Sequence, residues 1–340
     1  MSTKKPVFGL LFGDATGIGS ELVVKALQER EVRDLATWVI IGDERVYEQA
    51  KNITGLSIDY TKVDSIDEIE QDDRIWFIDL KNVDPASYEL GEFYAESGKR
   101  TGETLIYALD LAKAGKLDGI CYGPLNKEAL QRGGYQFEDE IHFFADLLDW
   151  KEWFGEINVM DQLWVTRVTS HIPLRDVAPL IQKERVLKVI HFANDTLKAA
   201  GYEQPRIYVC ALNPHAGEGG LIGREEIDEI APAIRQARDE GINVHGPFPA
   251  DTIFLRREKD PFDCLVGMYH DQAQTGMKLL GFHRGVTISG GLPVILTTPA
   301  HGTAFDIAGK GEANPGAMIA AMKLGVRLYK GKQANEKITN

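Results

Sequence analysis

Short apolar runs alternate with amphipathic runs along the whole chain, which predicts an α/β protein with mostly parallel sheets covered by helices. At 340 residues the chain is too long for one simple core and fits two α/β/α domains of about 150 residues each. With 44% hydrophobic and 26% charged residues it has the balance of an ordinary globular protein, whereas disordered chains carry less apolar material.

In chain order, "PVFGLLFG" is a first strand, followed by the helical stretch "GSELVVKALQER". The strands "TWVIIGD", "RIWFIDL" and "DGICYGP" come next, with the helix "AESGKRTGETLIYALDLAKAG" before the last of them and "KEALQRGG" after it. The second half continues with the strand "QLWVTRVTSH", the helix "KERVLKVIHFANDTLKAAG", the strand "RIYVCALNPH" and the helix "EEIDEIAPAIRQARDEG". "CLVGMYH" is a further strand, and a final helix follows Asn314. No repeat or long flexible linker interrupts the pattern, so the domain boundary falls in ordinary loops.

A formal charge of −13 argues against nucleic acid or an anionic membrane as partner, and any anion site has to be built locally. The start "MSTKKPVFGLLFG" lacks a small-residue cleavage pattern and reads as a strand, not as a secretory leader. No stretch reaches the ~18 apolar residues of a membrane span. The three cysteines, Cys121, Cys210 and Cys264, are widely spaced in apolar runs, as reduced core thiols of a cytoplasmic protein would be.

Three strands end on a histidine: His171, His215 and His270. In open parallel sheets the functional crevice lies beyond the carboxyl ends of the strands, so this recurrence points to a shared site. Three neutral imidazoles suit a divalent metal, with Asp176 and Asp271 placed to orient rings or take protons. A single such histidine would more simply cap a strand or bond to a loop; the repetition is what favours the metal.

Two glycine-rich stretches stand at opposite ends of the chain. "GDATGIGSEL" leaves the first strand and enters a helix, where Gly13, Gly17 and Gly19 let backbone N–H groups face an anion. Its spacing is not the dinucleotide pattern G-x-G-x-x-G. In "HGTAFDIAGKGEANP", residues 301 to 315, Gly302 allows close backbone approach, His301 offers a flat ring to a purine and Asp306 accepts hydrogen bonds.

This last stretch is similar to the nucleotide loop of the β-decarboxylating dehydrogenases, the isopropylmalate and isocitrate dehydrogenase group. The opening "GDATGIGSEL" resembles that of the 4-hydroxythreonine-4-phosphate dehydrogenase (PdxA) family, which shares that architecture. "YGPLNKEAL", "TSHIPLRDV", "LNPHAGEGGLIGREE", "GPFPADTIF" and "MYHDQ" extend the resemblance over nearly the whole chain. It implies an isocitrate/isopropylmalate dehydrogenase-like fold, with residues 1–130 and 285–340 as the nucleotide-binding domain and 131–284 as the metal, substrate and dimerisation domain. It implies NAD or NADP held by Gly13, Gly17, Gly19, His301, Gly302, Asp306 and Asn314. A divalent ion (zinc, magnesium, manganese or cobalt) would be held by His171, His215 and His270, in a homodimer with a shared active site. The reaction so implied is oxidation of a hydroxy acid followed by β-decarboxylation of the keto acid. Asp271 and Lys127 are candidates for proton transfer, each with an alternative role as an orienting or ion-paired residue.

The substrate pocket departs from the family pattern. Where the family has a histidine and a threonine ahead of a helix, "DEIHFFA" places Glu140 and Ile141, with His142 one position on. The family's lysine is retained as Lys278, its asparagine becomes Thr287, and a phosphate-gripping arginine becomes Leu296. Loss of such a donor removes charge-assisted bonding to a phosphate, unless His283 and Arg284 rebuild it. The expected substrate is therefore an altered, phosphorylated four-carbon acid. The alternatives are an unphosphorylated cyclic dihydrodiol carboxylate of the terephthalate type, or a non-catalytic metal- or ligand-binding relative.

Overall fold

The computed structural model describes residues 4–281 and 284–339, the last five by their backbone alone. Its strands are β1 (Val7–Leu11), β2 (Thr37–Gly42), β3 (Tyr60–Val63), β4 (Ile75–Asp79), β5 (Gly119–Tyr122), β6 (Gly155–Met160), β7 (Leu163–Arg167), β8 (Ile207–Cys210), β9 (Val244–Phe248), β10 (Cys264–Gly267), β11 (Val286–Gly290) and β12 (Leu296–Pro299). The chain divides into two compact units, Met1–Lys151 with His283–Tyr329, and Glu152–Phe282 with Lys330–Asn340.

In the first unit the strand order is β3-β4-β2-β1-β5-β12-β11, parallel except for the β11–β12 pair. β1, β2 and β5 are buried at every residue, as strands covered on both faces require. Residues 131–151, assigned from the sequence to the middle lobe, pack in this unit. The reason is the helix Glu140–Leu147, whose Phe143 and Phe144 join Leu11, Tyr122 and Leu296 in one apolar cluster.

In the second unit the order is β6-β7-β10-β8-β9, with β6 antiparallel to β7 and the rest parallel. Its core gathers Leu163, Val165, Tyr208, Leu265 and Met277. Cys121, Cys210 and Cys264 are free and buried. Burial alone pushes the Cys210 thiol up to about 12, so in the unliganded chain it stays a neutral core thiol. Among the described residues no helix is long and apolar enough to cross a membrane.

Candidate active site

At the carboxyl edge of the first sheet, β1, β5 and β12 lie side by side and parallel. The chain leaves β1 toward β2 on one side while β5 sits on the other, a reversal of strand order that marks ligand crevices in open α/β sheets. Asp14, buried behind β1, organises this edge. Its Oδ1 accepts from Thr16 N at 3.0 Å, Thr16 Oγ1 at 2.9 Å and the Ser97 hydroxyl.

The glycines expected to approach a nucleotide are explained by the protein's own packing. A Cβ on Gly13 (φ +76°) would lie 2.4 Å from Gly123 O, one on Gly19 1.8 Å from Phe12 O, and one on Gly17 2.8 Å from Thr303 Cβ. The two glycine-rich motifs are in fact one structure. Ile18 N donates to Thr303 O at 3.2 Å, Gly309 N donates to Glu21 Oε1 at 2.8 Å, and Lys25 Nζ donates to Gly311 O and Ala313 O at 2.7 Å each. Glu21 and Lys25 stand one turn apart on the helix Gly19–Ala26 and clamp the 301–315 loop onto it.

Within that loop Gly302 is open, with nothing within 4 Å of a Cβ placed there. His301 is half-buried, its Nδ1 3.0 Å from Gly302 O, and Asp306 is exposed. Asn314 has a role in the fold, since its Oδ1 accepts from Gly316 N at 2.8 Å at the start of the helix Gly316–Thr339. An open groove of about 670 Å³, lined by residues that include Arg45, Asn52, Ile53, Asp84 and Leu90, lies against the loop. Ile53 and Leu90 are also what a side chain at Gly311 or Gly309 would strike, at 3.0 Å in each case.

The expected substrate residues fare unequally. Leu296 is 1% and Ile141 3% exposed, both in the core, so neither reaches a ligand. A motif alignment equates positions and cannot tell an inward from an outward side chain. Glu140 is half-buried and accepts from Tyr122 Oη at 3.2 Å. His142 is tied to Asp139, with Nδ1 2.6 Å from Oδ1. Thr287 is half-buried opposite Thr298 in the β11–β12 pair, and Lys278 is exposed on the helix His270–Gly281. Arg284 is exposed, and His283 lies outside the described residues. Lys127 is exposed as the first residue of the helix Lys127–Arg132, which Asn126 caps by accepting from Ala129 N at 2.8 Å. It makes no ion pair among the described residues.

At the carboxyl edge of the second sheet, β10 lies between β7 and β8. The β7 and β10 chains stay paired beyond the strands: Val168 N donates to Gly267 O at 2.9 Å, and Thr169 donates to Met268 O from N at 3.0 Å and from Oγ1 at 2.8 Å. That pairing delivers His171 and His270 together, with ring centroids 5.6 Å apart at 44°. Two imidazoles bound to one tetrahedral ion through nitrogens at ~2.0–2.1 Å have centroids about 5 Å apart, so this pair fits half of a metal site. His270 Nδ1 lies 2.7 Å from Asp271 Oδ1. A carboxylate oxygen only accepts, so in a neutral ring this bond places the proton on Nδ1 and leaves Nε2 for a metal.

The third histidine does not join this pair within one chain. Among the described residues no group of three or more His, Cys, Asp or Glu side chains is placed to hold a metal ion, so the three rings do not converge within one chain. The loop after β8 accounts for the difference. His215, Ala216, Gly217, Glu218 and Gly219 are consecutively left-handed, with φ from 46° to 79°, and the chain turns at His215 itself. Such backbone costs a non-glycine residue roughly 1–2 kcal/mol and persists only where the surroundings impose it. The buried Glu226 anchors the chain just ahead of this run. Its Oε1 accepts from Leu212 N at 2.8 Å and Asn213 N at 2.7 Å, and its Oε2 from Asn213 Nδ2 at 3.0 Å. Asp176 is exposed, 3.7 Å from Arg175 Nε.

Glu21, Lys25, Arg167 and Glu226 are site-building residues absent from the sequence expectations. A charge inside a buried strand, as Arg167 is in "LWVTRV", is a readable signal. Glu226 offers none, because "GREEIDEI" looks like the acidic face of any surface helix.

A family model described as "Pyridoxal phosphate biosynthetic protein PdxA" matches residues 34–325. A Rhizobium meliloti (strain 1021) relative, provisionally named 4-hydroxythreonine-4-phosphate dehydrogenase 2, is 44% identical over 97% of this chain and 95% of its own. The D-threonate 4-phosphate dehydrogenase of Cupriavidus necator is 41% identical over 96% of this chain and 98% of its own. The crystal structure of a 4-hydroxythreonine-4-phosphate dehydrogenase from Burkholderia phymatum superposes with a TM-score of 0.79 at 40% identity, covering 96% of this chain and 99% of that one.

Proposed function

Because the chain belongs to the pyridoxal phosphate biosynthetic protein PdxA family, we propose that it is a divalent-metal-dependent NAD(P)+ dehydrogenase of a phosphorylated four-carbon hydroxy acid. The keto acid it forms then loses carbon dioxide. The observation that carries the reading is the His171–His270 pair at adjoining parallel strand ends. A divalent ion held there would supply positive charge to stabilise developing negative charge on the substrate oxygen, and a bound nicotinamide would supply the hydride acceptor.

The chain's own residues hold and orient. His171 and His270 offer two nitrogens to the ion, and Asp271 fixes the ring and tautomer of His270. His215 supplies the third ligand across a homodimer contact. That arrangement is supported by where the apolar surface lies. Among the described residues, the large apolar side chains left exposed are Leu174, Leu221, Ile222, Ile227, Leu255, Leu279 and Leu280. All but Leu255 lie on or next to the loops or helix that carry the three histidines, and exposed large apolar side chains there favour a protein partner. Lys127 is the proton-transfer group, its ammonium uncommitted to any ion pair among the described residues. The 301–315 loop, clamped by Glu21 and Lys25, holds the adenosine end of the nucleotide.

A phosphorylated acid is preferred over an unphosphorylated dihydrodiol, because relatives 44% and 41% identical over nearly the whole chain are named for phosphorylated acids. The test is NAD(P)H formation with zinc, manganese, magnesium or cobalt ion. The panel comprises 4-phosphohydroxythreonine, threonate 4-phosphate and a terephthalate dihydrodiol. Turnover of a phosphorylated acid with release of carbon dioxide is the expected result. Turnover confined to the dihydrodiol, or none at all, contradicts the proposal.

A further inference from the structure

Arg167 ends β7 as a charged side chain only 4% exposed, in a strand buried at every residue. A guanidinium taken out of water has to be hydrogen-bonded on several sides. Its Nε donates to Ser170 Oγ at 2.9 Å, one Nη donates to Asn158 Oδ1 at 2.7 Å, and the other pairs with Glu156. Asn158 Oδ1 also accepts from Gln274 Nε2. Ser170 directly precedes His171, and Gln274 lies one helical turn after His270. A single acceptor atom on β6 thus joins the loop that carries His171, through Arg167, to the helix that carries His270, through Gln274.

We infer that Arg167, Asn158 and Gln274 are positioning residues that set the separation of the His171 and His270 rings. The functional consequence rests on the metal reading of those rings; the ring separation itself does not. Apolar residues of similar volume fill a buried space at least as stably as a cation with its partners, so packing alone does not call for this network. What it adds is direction. Each buried bond has one good geometry, and leaving any member unpaired is costly in a low-dielectric interior, so the two elements are locked in one relative position. A two-imidazole half-site needs that, because ligand atoms misplaced by about 1 Å no longer share an ion.

The experiment compares wild type with Asn158→Leu, Asn158→Asp and Gln274→Leu. Asp keeps an oxygen that accepts from both Arg167 and Gln274, whereas Leu removes it. In metal-stripped protein with labelled histidines, the nuclear Overhauser contact between the His171 and His270 rings is expected in wild type and Asn158→Asp and lost in Asn158→Leu. Should Asn158→Leu fail to fold, Gln274→Leu, which leaves Arg167 bonded to Asn158, gives the same reading. In parallel, the Kd for Co2+ rises at least tenfold in the leucine variants and stays within about threefold in Asn158→Asp. An unchanged ring contact in both leucine variants overturns the inference. Equal Co2+ affinity in wild type and His270→Ala removes the metal reading instead, and the ring contact still decides the positioning role.

Discussion

The carboxyl edges of the two sheets are built by opposite means. In the first unit the edge is closed on itself: glycines pack backbone on backbone, Asp14 satisfies its loop, and Glu21 and Lys25 hold the 301–315 loop in place. In the second unit the edge is left open, with three imidazoles at or near the surface, several large apolar side chains exposed among them, and a left-handed loop at His215. The second edge presents imidazoles and apolar side chains to solvent, while the buried groups Glu226 and Arg167 hold its exposed parts in position.

The sharpest way to break this contrast is His270→Ala. On the proposed metal reading it removes a ligand and forfeits several kcal/mol of charge stabilisation in the transition state, so kcat/KM falls about a thousandfold or more while nucleotide affinity is unchanged. Parallel loss of nucleotide binding, measured by titration, would show that the two edges are not separable in this way.

Glu226→Ala comes next. It leaves the N–H groups of Leu212 and Asn213 without their acceptor, at ~1–3 kcal/mol for each group that stays dry. Thermal or denaturant unfolding should register the loss, and Co2+ affinity should fall with it. Lys25→Met tests the other edge. Two charge-assisted bonds to Gly311 and Ala313 disappear, and with roughly 1.5–3 kcal/mol at stake for a bond to a charged group, KM for the nucleotide rises about tenfold. Metal affinity stays as it was.

The smallest expected effect has the opposite sign. Ala216→Gly relieves a side chain held at φ 56° and stabilises the protein by about 0.5–1 kcal/mol, seen as a higher Tm. A lower Tm would mean that the left-handed turn is not under strain.

Much of this organisation was legible in the sequence because burial writes continuous apolar runs. β1, β2, β4, β5, β7, β8 and β10 all stand out in that way. β3, the half-exposed "YTKV" at a sheet edge, and β9, "VHGPF" with its glycine and proline, do not. The histidines were legible because each ends an apolar run. That they share a site was expected from the recurrence, but which two adjoin was not legible, since it depends on the strand order β7-β10-β8, which no local pattern encodes. Gly13 and Gly19 were recognisable as required glycines, but whether a ligand or the protein's own carbonyl approaches them is settled only by three-dimensional packing. Ile141 and Leu296 show the same limit from the other side, being matched by position to a pocket and found in the core.

The most direct test of the central claim is an anomalous difference map from crystals loaded with Co2+. The account predicts a peak within about 2–2.3 Å of the Nε2 atoms of both His171 and His270, with a His215 of the neighbouring subunit completing the set. A peak that touches neither His171 nor His270, in a protein that still oxidises its acid, would contradict it.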